Sequence, residues 1–405
     1  MRNNEVKNTQ KLRFPEFLND GEWEEKRLGD ISDVRDGTHD SPKFYSSGKP
    51  LVTSKNLLSN GNLDINNVSL ISEVDYEQIN KRSLVNIGDI LFGMIGTIGN
   101  PVRVKFDGFA IKNVALIKEK DMLLNEYLVH FLNSQYIATK FSILNTGNTQ
   151  KFIALGQIRN LLLPIPKLPE QQKIANCLSS VDSLITAQSK KVETLKEHKK
   201  ALMQQLFPSD GEEIPKLRFP EFKNAPKWEE KTLKELAENL DNKRVPITSN
   251  VRSKGDIPYY GASGIVDFVN DYIFDEELLC ISEDGANLVA RTYPIAFSIS
   301  GKTWVNNHAH VLKFQNKCTQ IIVENYLNSI KLDDFLTGMA QPKLNKAMLD
   351  IIPIPISSEP KEQQKIANFL SSIDELITSS SKKVETLKEH KKALMQQLFP
   401  LVKES

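Results

Sequence analysis

The sequence has few cysteines and lacks long apolar runs, and each shortage excludes a class of protein. Its three cysteines, Cys177, Cys280 and Cys318, form no Cys-x-x-Cys pair, which argues against a disulfide framework or a zinc knuckle. No apolar run approaches about 18 residues, so no membrane-spanning helix is expected. The polar opening MRNNEVKNTQ contains no secretory h-region, and a reducing, cytoplasmic location is therefore expected.

A strong charge imbalance is also lacking. The 405 residues carry a net charge of +1, with 40% hydrophobic and 25% charged residues. This composition is ordinary for a folded chain of several domains. Any nucleic-acid surface must therefore be a local patch, because no global positive field exists to attract a polyanion.

Catalytic motifs are the third shortage. SGKT at Ser300–Thr303 suggests a phosphate-binding loop, but Ala296 occupies the position where that motif needs glycine. His308 and His310 lie two residues apart, yet nothing nearby completes a metal-ligand set. No Gly-x-Ser-x-Gly or His-Glu-x-x-His pattern is present, nor an Asn-Pro-Pro-aromatic motif of an amino-methyltransferase. We predict a non-catalytic chain; an ATP site at the SGKT sequence is an alternative that an ATP-binding assay would test.

What the sequence does contain is a duplication. Residues 170–208 match residues 362–400 at 34 of 39 positions, with an offset of 192. The opening motif KLRFPEF recurs at residues 11–17 and 216–222, and WEEK recurs at 23–26 and 228–231. The segments between these repeats hardly align. The chain therefore consists of two copies of one plan, with shared ends and different bodies.

Each long repeat predicts a helix with a heptad seam. Apolar residues alternate at spacings of three and four, and two polar residues interrupt each seam, Gln188 and Lys199 in one copy and Ser380 and Lys391 in the other. Two related halves in one chain most simply meet about a pseudo-twofold axis, which makes the helices antiparallel. The alternative is that each helix packs only on its own domain. The predicted seam residues are Ile174, Leu178, Val181, Ile185, Val192, Leu195, Leu202, Leu206, Ile366, Leu370, Ile373, Ile377, Val384, Leu387, Leu394 and Leu398.

The two bodies mix strand and helix patterns. Residues 110–118 alternate as one strand, whereas residues 126–141 and 324–336 have helical spacing. The predicted fold class is α+β, with two pseudo-twofold related mixed α/β domains separated by a long antiparallel two-helix coiled coil. The predicted domains are a tail (1–10), a first head (11–166), a first spacer helix (167–208), a linker (209–215), a second head (216–358), a second spacer helix (359–400) and a tail (401–405).

Several motifs, taken in order, resemble one family. They are KLRFPEF with WEEK, then DGTHDSPKF, GDILFGMIGTIGNP and TGNTQKFIALGQIRNLLLPIP, and finally the duplicated helices ending in LKEHKKALMQQLFP. Together they resemble the specificity subunit of a type I restriction-modification system over nearly the whole chain. The resemblance implies that each head is a target-recognition domain reading one half of a split DNA sequence, and that the coiled coil sets the gap between the halves.

The same resemblance implies partners that carry the chemistry. Two modification subunits would bind the shared regions and methylate adenine, and two restriction subunits would join the assembly. S-adenosylmethionine, ATP and magnesium would bind those partners, so no cofactor is expected in this chain. The competing interpretation is a coiled-coil scaffold with two protein-binding heads and no role in DNA binding.

Candidate DNA-binding residues are polar and basic side chains in glycine-rich or polar loops, because such side chains contact base edges and phosphates. The turns TGNTQKF and TGMAQPKL occur in both halves and are expected to hold the backbone more than to choose bases. The candidates in the first body are Thr38, His39, Ser41, Lys43, Ser54, Lys55, Asn56, Asn148, Thr149, Gln150 and Lys151. Those in the second body are Lys254, Tyr259, Tyr260, Ser263, Lys302, Asn306, Asn307, His308, Gln341, Lys343 and Asn345.

Overall fold

The computed structural model describes residues 10–144, 152–209, 211–338 and 341–400. The chain divides into two compact units, Met1–Ala187 with Lys383–Ser405, and Gln188–Lys382. Each unit thus contains one head, half of its own long helix and half of the other long helix.

The strands of the first unit are β1 (Glu24–Arg27), β2 (Asp33–Asp36), β3 (Lys49–Thr53), β4 (Ser69–Ile71), β5 (Ile90–Gly93), β6 (Gly99–Arg103), β7 (Ala110–Lys112), β8 (Val114–Lys118) and β9 (Leu162–Ile165). Its shorter helices are α1 (Leu28–Ile31), α2 (Glu73–Ser83), α3 (Asn125–Leu132), α4 (Gln135–Leu144) and α5 (Leu155–Arg159), and α6 (Leu168–Leu206) is the first long helix.

The strands of the second unit are β10 (Glu229–Thr232), β11 (Ala237–Asn239), β12 (Lys254–Gly261), β13 (Gly264–Val269), β14 (Phe274–Asp275), β15 (Leu278–Ser282), β16 (Ala296–Ile299), β17 (Lys302–Val305), β18 (Ala309–Phe314) and β19 (Pro353–Ile356). Its helices are α7 (Leu233–Leu236), α8 (Asn287–Ala290), α9 (Lys317–Ser329) and α10 (Lys346–Asp350), and α11 (Pro360–Leu398) is the second long helix.

The two heads share one sheet topology although their sequences hardly align. The antiparallel order β2-β8-β5-β6 in the first head corresponds to β11-β18-β15-β16 in the second. A second sheet, β4-β3-β7, corresponds to β13-β12-β17-β14. Each of these sheets contains one parallel pair of strands, β3 with β7 in the first head and β12 with β17 in the second. Apart from β14, an edge strand that only the sheet of the second head has among the described residues, the bodies therefore differ in side chains and loops but not in strand order.

Each antiparallel sheet is buried on both faces, which explains its apolar strands. In β5, Ile90 and Phe92 lie in the core formed with α3 and the long helices, whereas Leu91 lies in a second core. β15 divides in the same way, with Leu279 and Ile281 in one core and Cys280 in the other. This period of two follows from the strand geometry.

The long helices run antiparallel inside each unit. In the first unit Lys391 Nζ lies 2.7 Å from Asp182 Oδ1, and Leu398 joins the cluster that contains Ile174. In the second unit Lys199 Nζ lies 2.6 Å from Asp374 Oδ1. Shifting either ion pair by 192 positions, the offset of the repeat, gives the other pair. All the predicted seam residues are buried or half-buried, and so are the four polar seam residues.

The opening motifs anchor each head to the start of its helix. Arg13 makes a bidentate pair with Glu170 at 2.8 and 2.7 Å, and Arg218 pairs with Glu362 at 2.7 Å through both oxygens. Both glutamates are 1% exposed. Residues 24–26 and 229–231 of the WEEK segments lie in β1 and β10, which pair antiparallel with β9 and β19; Glu25 lies opposite Pro164 and Glu230 opposite Pro355.

Three predicted elements differ from the structure. The strand predicted over 110–118 is two strands, because Asn113 takes a left-handed conformation with φ 55° and turns the chain. The helix predicted over 126–141 is interrupted at Asn133 and Ser134. The helix predicted over 324–336 is α9, which begins earlier and ends at Ser329, before a 3₁₀ turn at Asp333–Phe335.

Candidate nucleic-acid interface

In the first head, backbone hydrogen bonds gather several loops at the strand ends; we call residues 36–44, 53–57, 93–99, 113 and 152–153 the first loop cluster. The Thr38 amide donates to the Ile111 carbonyl and its carbonyl accepts from Asn113 N–H, at 3.0 and 3.1 Å. Ser54 Oγ donates to the Asn113 carbonyl at 2.9 Å. The Ile153 amide donates to the Met94 carbonyl at 2.9 Å. Two loops of candidate residues, 38–43 and 54–56, therefore meet at Asn113.

Gly37 permits this arrangement. A Cβ atom at this position would lie 2.2 Å from the Ile111 carbonyl oxygen, which is far inside van der Waals contact. No other residue can therefore follow Asp36 without moving the neighbouring strand.

The exposed side chains of the first loop cluster are mostly donors. His39, 54% exposed, has Nδ1 2.9 Å from Asn113 Oδ1 and Nε2 2.9 Å from Asp36 Oδ2. These hydrogen bonds, that to Asn113 first, raise the pKa of His39 above its ordinary value. Lys112 Nζ donates to Ser41 Oγ, and Lys43 and Lys55 are exposed. The cluster therefore presents cationic and hydroxyl groups to the outside, together with the carboxylate of Asp40.

The second head has an equivalent set of loops; residues 260–264, 282–286, 305–308 and 341–345 are the second loop cluster. The Asn306 amide donates to the Tyr260 carbonyl at 3.0 Å, and the Glu283 amide donates to the His308 carbonyl at 2.9 Å. The Leu344 amide donates to the Glu283 carbonyl at 2.8 Å, as Ile153 does to Met94. Three loops of candidate residues thus meet at the carboxyl ends of β12, β15 and β17.

Exposed candidates of the second loop cluster are Ser263, Asn307, His308, Gln341 and Lys343. His308 Nδ1 lies 2.8 Å from Asp284 Oδ2, and Lys343 Nζ lies 3.2 Å from Glu283 Oε1. Two carboxylates thus lie among the donors, which is consistent with a surface that is only locally positive.

Several candidates are engaged in holding the loops. Ser54 and Asn56 are buried. The side-chain oxygen of Asn56 accepts from the Thr53 amide and caps the turn there, while its side-chain nitrogen donates to the carbonyls of Asp64 and Asn67. Tyr259 is buried, with its hydroxyl bonded to the backbone of Ile247. These hydrogen bonds favour a supporting role for these residues. Tyr260, Asn306 and Asn345 are similarly engaged, by stacking on Phe297, by accepting from the His308 amide and by capping α10.

Two candidates lie away from the second loop cluster. Lys254 and Lys302 are at the amino ends of the parallel strands β12 and β17, whereas the cluster is at their carboxyl ends. Lys302 Nζ lies 4.7 Å from the centre of the Tyr272 ring, a cation–π contact. Asn148, Thr149, Gln150 and Lys151 lie outside the described residues. As DNA contacts, all the candidates remain predictions.

Sequence reasoning missed residues that organise both clusters. In the first cluster the Asn113 side chain is hydrogen-bonded to His39, and Arg82 donates a hydrogen bond to Asp36. In the second, Arg244 pairs with Glu283 at 2.6 Å and with Asp241 at 3.4 Å. Asn113 could have been found, because an asparagine inside an alternating strand pattern often marks a left-handed turn. Arg82 and Arg244 carry no comparable signal, since their partners are distant in sequence.

The arrangement offers hydrogen-bond donors to a bound molecule. Within the described ranges, no three His, Cys, Asp or Glu side chains are grouped to hold a metal ion. Among the same residues, no helix is both long and apolar enough to cross a membrane.

A family model described as type I restriction modification DNA specificity domain matches residues 20–197 and again 225–389. These two matches cover most of the chain and correspond to its two halves. They agree with the duplication that the repeats indicate.

Two relatives and one solved structure are also similar to this chain. A putative type I restriction enzyme specificity subunit of Haemophilus influenzae is 39% identical over 145 residues, 35% of this chain and 37% of that protein. One of Methanocaldococcus jannaschii is 28% identical over 400 residues, 93% of each chain. The crystal structure of a type I restriction-modification S subunit from M. genitalium matches with a TM-score of 0.64 and 17% identity, covering 98% of this chain and 100% of that one. The last likeness confirms the predicted fold class.

Proposed function

Since the chain belongs to the type I restriction-modification DNA specificity family, whose members recognise DNA sequence and are not enzymes, we propose that it reads a split DNA target. The first loop cluster reads one half of the target and the second loop cluster reads the other. The paired long helices fix the length of the unread gap. All methylation and cleavage chemistry belongs to partner subunits.

One observation carries this proposal: two heads with the same strand order hold different side chains at equivalent strand ends. Asn113 and His308 occupy equivalent positions, one residue before β8 and β18. A shared frame with different donors suits two different half-sites, because base identity is read by the donor and acceptor pattern in the major groove. A scaffold for two copies of one partner would need no such difference.

The near-identical helices also bear on how partner subunits bind. Their exposed faces carry Lys190, Glu193, Lys196 and Glu197, and the same residues recur 192 positions later. We propose that these two equivalent faces bind two modification subunits, and that restriction subunits join through them. Symmetric surfaces suit two copies of one partner.

A genome-wide map of methylated adenine tests the function. The chain is co-expressed with its cognate modification subunit in a host that lacks adenine methylation, and single-molecule sequencing locates the marks. A single split motif with a fixed gap is expected. No motif, despite a stable complex of the two chains, would refute DNA reading and favour the scaffold with protein-binding heads.

Paired variants assign each half-site to a head. His39→Ala with Lys43→Ala changes the first loop cluster, and Asn307→Ala with Lys343→Ala changes the second. Each pair is expected to reduce methylation and to relax the motif only in its own half, since a specific base contact contributes about 1–3 kcal/mol of discrimination. Relaxation of both halves by either pair would contradict the assignment.

A narrower prediction concerns Lys43, which is exposed next to the candidates of the first loop cluster. If its ammonium contacts a phosphate, Lys43→Ala lowers the salt slope of DNA affinity by about 0.9. The measurement is the affinity of the assembled complex for its target between low and high salt. An unchanged slope would remove Lys43 from the phosphate contacts.

A further inference from the structure

A β-hairpin at the edge of the second head has its tip in the second loop cluster. Strands β12 and β13 are joined by a turn of only two residues, 262 and 263. Ser282 Oγ donates to the Ala262 carbonyl at 2.5 Å, and on the other side the Asn306 amide donates to the Tyr260 carbonyl at 3.0 Å. These hydrogen bonds fix the hairpin tip among the candidate DNA-binding loops.

A β-bulge behind the turn exposes two apolar side chains next to each other. Tyr260 lies opposite Ile265, whereas Tyr259 lies opposite Asp267. Val266 is therefore an extra residue in β13, and such a bulge changes where the side chains of its strand point. Ile265 is 51% exposed and Val266 is 55% exposed. Two neighbouring branched side chains thus face solvent, although a regular strand directs successive side chains to opposite faces.

Val266 lies beside a donor of the second loop cluster. A Cβ atom at Gly261 would be 3.0 Å from Val266 Cγ1 and 3.3 Å from Asn306 Nδ2, so both side chains approach the same side of this glycine. Ser263, an exposed hydroxyl at the turn, lies two residues before Ile265. The hairpin tip therefore combines exposed methyl groups with hydrogen-bond donors.

This combination suits one base edge in the major groove of DNA. Thymine presents a C5-methyl group beside its O4 acceptor, and the other three bases have no methyl group there. The major groove admits a two-stranded β-ribbon, and apolar side chains contact the thymine methyl group. Donors beside Val266 complement the O4 acceptor, while the methyl groups of Val266 and Ile265 complement the C5-methyl group.

A protein partner on the same strand would use a different part of it. Phe268, 49% exposed, continues the apolar surface of β13 away from the turn and lies opposite Pro258. The turn and the bulge bring Ile265 and Val266 to the loop cluster, whereas Phe268 is farther along the strand. Continuity with the candidate DNA-binding loops therefore favours a base edge over a protein as the occupant.

We infer that Ile265 and Val266 read the C5-methyl group of a thymine in the second half-site, an inference that rests on the proposed function. The first half-site does not depend on this contact. In the first head the equivalent strands, β3 and β4, are joined by residues 54–68 instead of a two-residue turn. Removing the methyl group from the DNA, or the two side chains from the protein, removes the same apolar contact.

The first arm of the test changes only the DNA. The full-length chain is assembled with its modification subunit, and each thymine of the target duplex is replaced in turn by deoxyuridine, which lacks only the methyl group. Affinity should fall about fourfold at one or more thymines of the second half-site, because a methyl-sized group loses its apolar contact. No loss at any thymine of the second half-site would overturn the inference.

The second arm changes the protein. Ile265→Ala with Val266→Ala should bind the intact target about fourfold or more weakly and should no longer distinguish thymine from deoxyuridine at the sensitive position. Its response to substitutions in the first half-site should be unchanged. The matched control is Val251→Ala, a branched residue that is 64% exposed before the amino end of β12, and it should bind as the unmodified chain does. Full thymine discrimination in the folded double variant would overturn the inference.

A third measurement separates DNA from a protein partner. Without DNA, the double variant should assemble with the modification subunit as the unmodified chain does, and loss of assembly would show that the apolar pair binds protein, which overturns the inference. If the double variant does not fold, Ile265→Thr, which keeps the β-branched side chain that strands favour, replaces it. Failure to find any split motif would overturn the proposed function, whereas a split motif without methyl dependence in its second half would overturn only this inference.

Discussion

The two heads use the same backbone anchors but differ in what holds them. In the first head Ser54, the Ile153–Met94 backbone bond and the Arg82–Asp36 ion pair connect the loops. In the second head the equivalent Leu344–Glu283 backbone bond is supplemented by the Asp241–His310 hydrogen bond and the Arg244–Glu283 ion pair. Equivalent geometry therefore tolerates different chemistry, which leaves exposed side chains free to differ between half-sites.

The largest effect is expected at the shared anchors between opening motif and helix. Arg218→Ala leaves Glu362, which is 1% exposed, without its bidentate partner, and the free energy of unfolding should fall by about 3–5 kcal/mol. Arg13→Ala should act similarly on the first unit. Urea denaturation followed by tryptophan fluorescence measures both.

The matched control is Lys173→Ala, which removes a half-exposed ion pair with Glu16 close to Arg13. It should change the free energy of unfolding by no more than about 1 kcal/mol. Equal effects of Lys173→Ala and Arg13→Ala would contradict the distinction between buried and surface pairs.

Acid should destabilise the first unit more than the second. Burial, helped by the Lys391 ammonium, lowers the pKa of His130 to about 4, whereas the second head has Asn325 at the corresponding place before Leu-Asn-Ser. The unfolded chain binds this proton near pH 6.5, so the first unit loses stability as pH falls from about 6.5 to 4, by about 3 kcal/mol.

Denaturation of the wild type and of His130→Asn at pH 7 and pH 4.5 measures this difference. The variant is expected to lose the part of the pH dependence that belongs to the first unit. The same acid sensitivity in His130→Asn would show that another group is responsible.

Gly37 offers a test confined to the first head. Gly37→Ala forces a Cβ atom against the Ile111 carbonyl and should cost about 1–3 kcal/mol while relaxing the methylated motif in the first half only. Gly156→Ala, in α5 with open space around it, is the control and should be neutral or slightly stabilising. Motif changes in both halves would break the assignment of one head to one half-site.

The smallest effects are expected in the helix pair, where the two units are most alike. Double-mutant cycles for Lys391 with Asp182 and for Lys199 with Asp374 should each give about 0.5–1 kcal/mol, since both pairs are partly exposed. Asp182 also lies 3.8 Å from His130. A larger coupling in the first unit at low pH would identify the histidine as the source of asymmetry.

The sequence was most informative where side-chain spacing is regular. The heptad seam and the duplicated motifs predicted two equivalent antiparallel helices, because apolar residues at spacings of three and four have few other uses. The left-handed turn at Asn113 was missed although an asparagine inside an alternating pattern can mark one. The contacts of Arg244 and His310 were missed because their partners lie 39 and 69 residues away.

The ring contacts of Phe399 determine when the first head can complete its core during synthesis. Phe399, near the end of α11, packs edge-to-face on Tyr127 and Phe131 in the first unit. Phe207 makes the equivalent contact with Tyr326, but it precedes the second head in the chain. On the ribosome, at about 5–20 residues per second, the head that is made first must therefore wait roughly 10–50 s for its last core residue, while the later head finds its own already made.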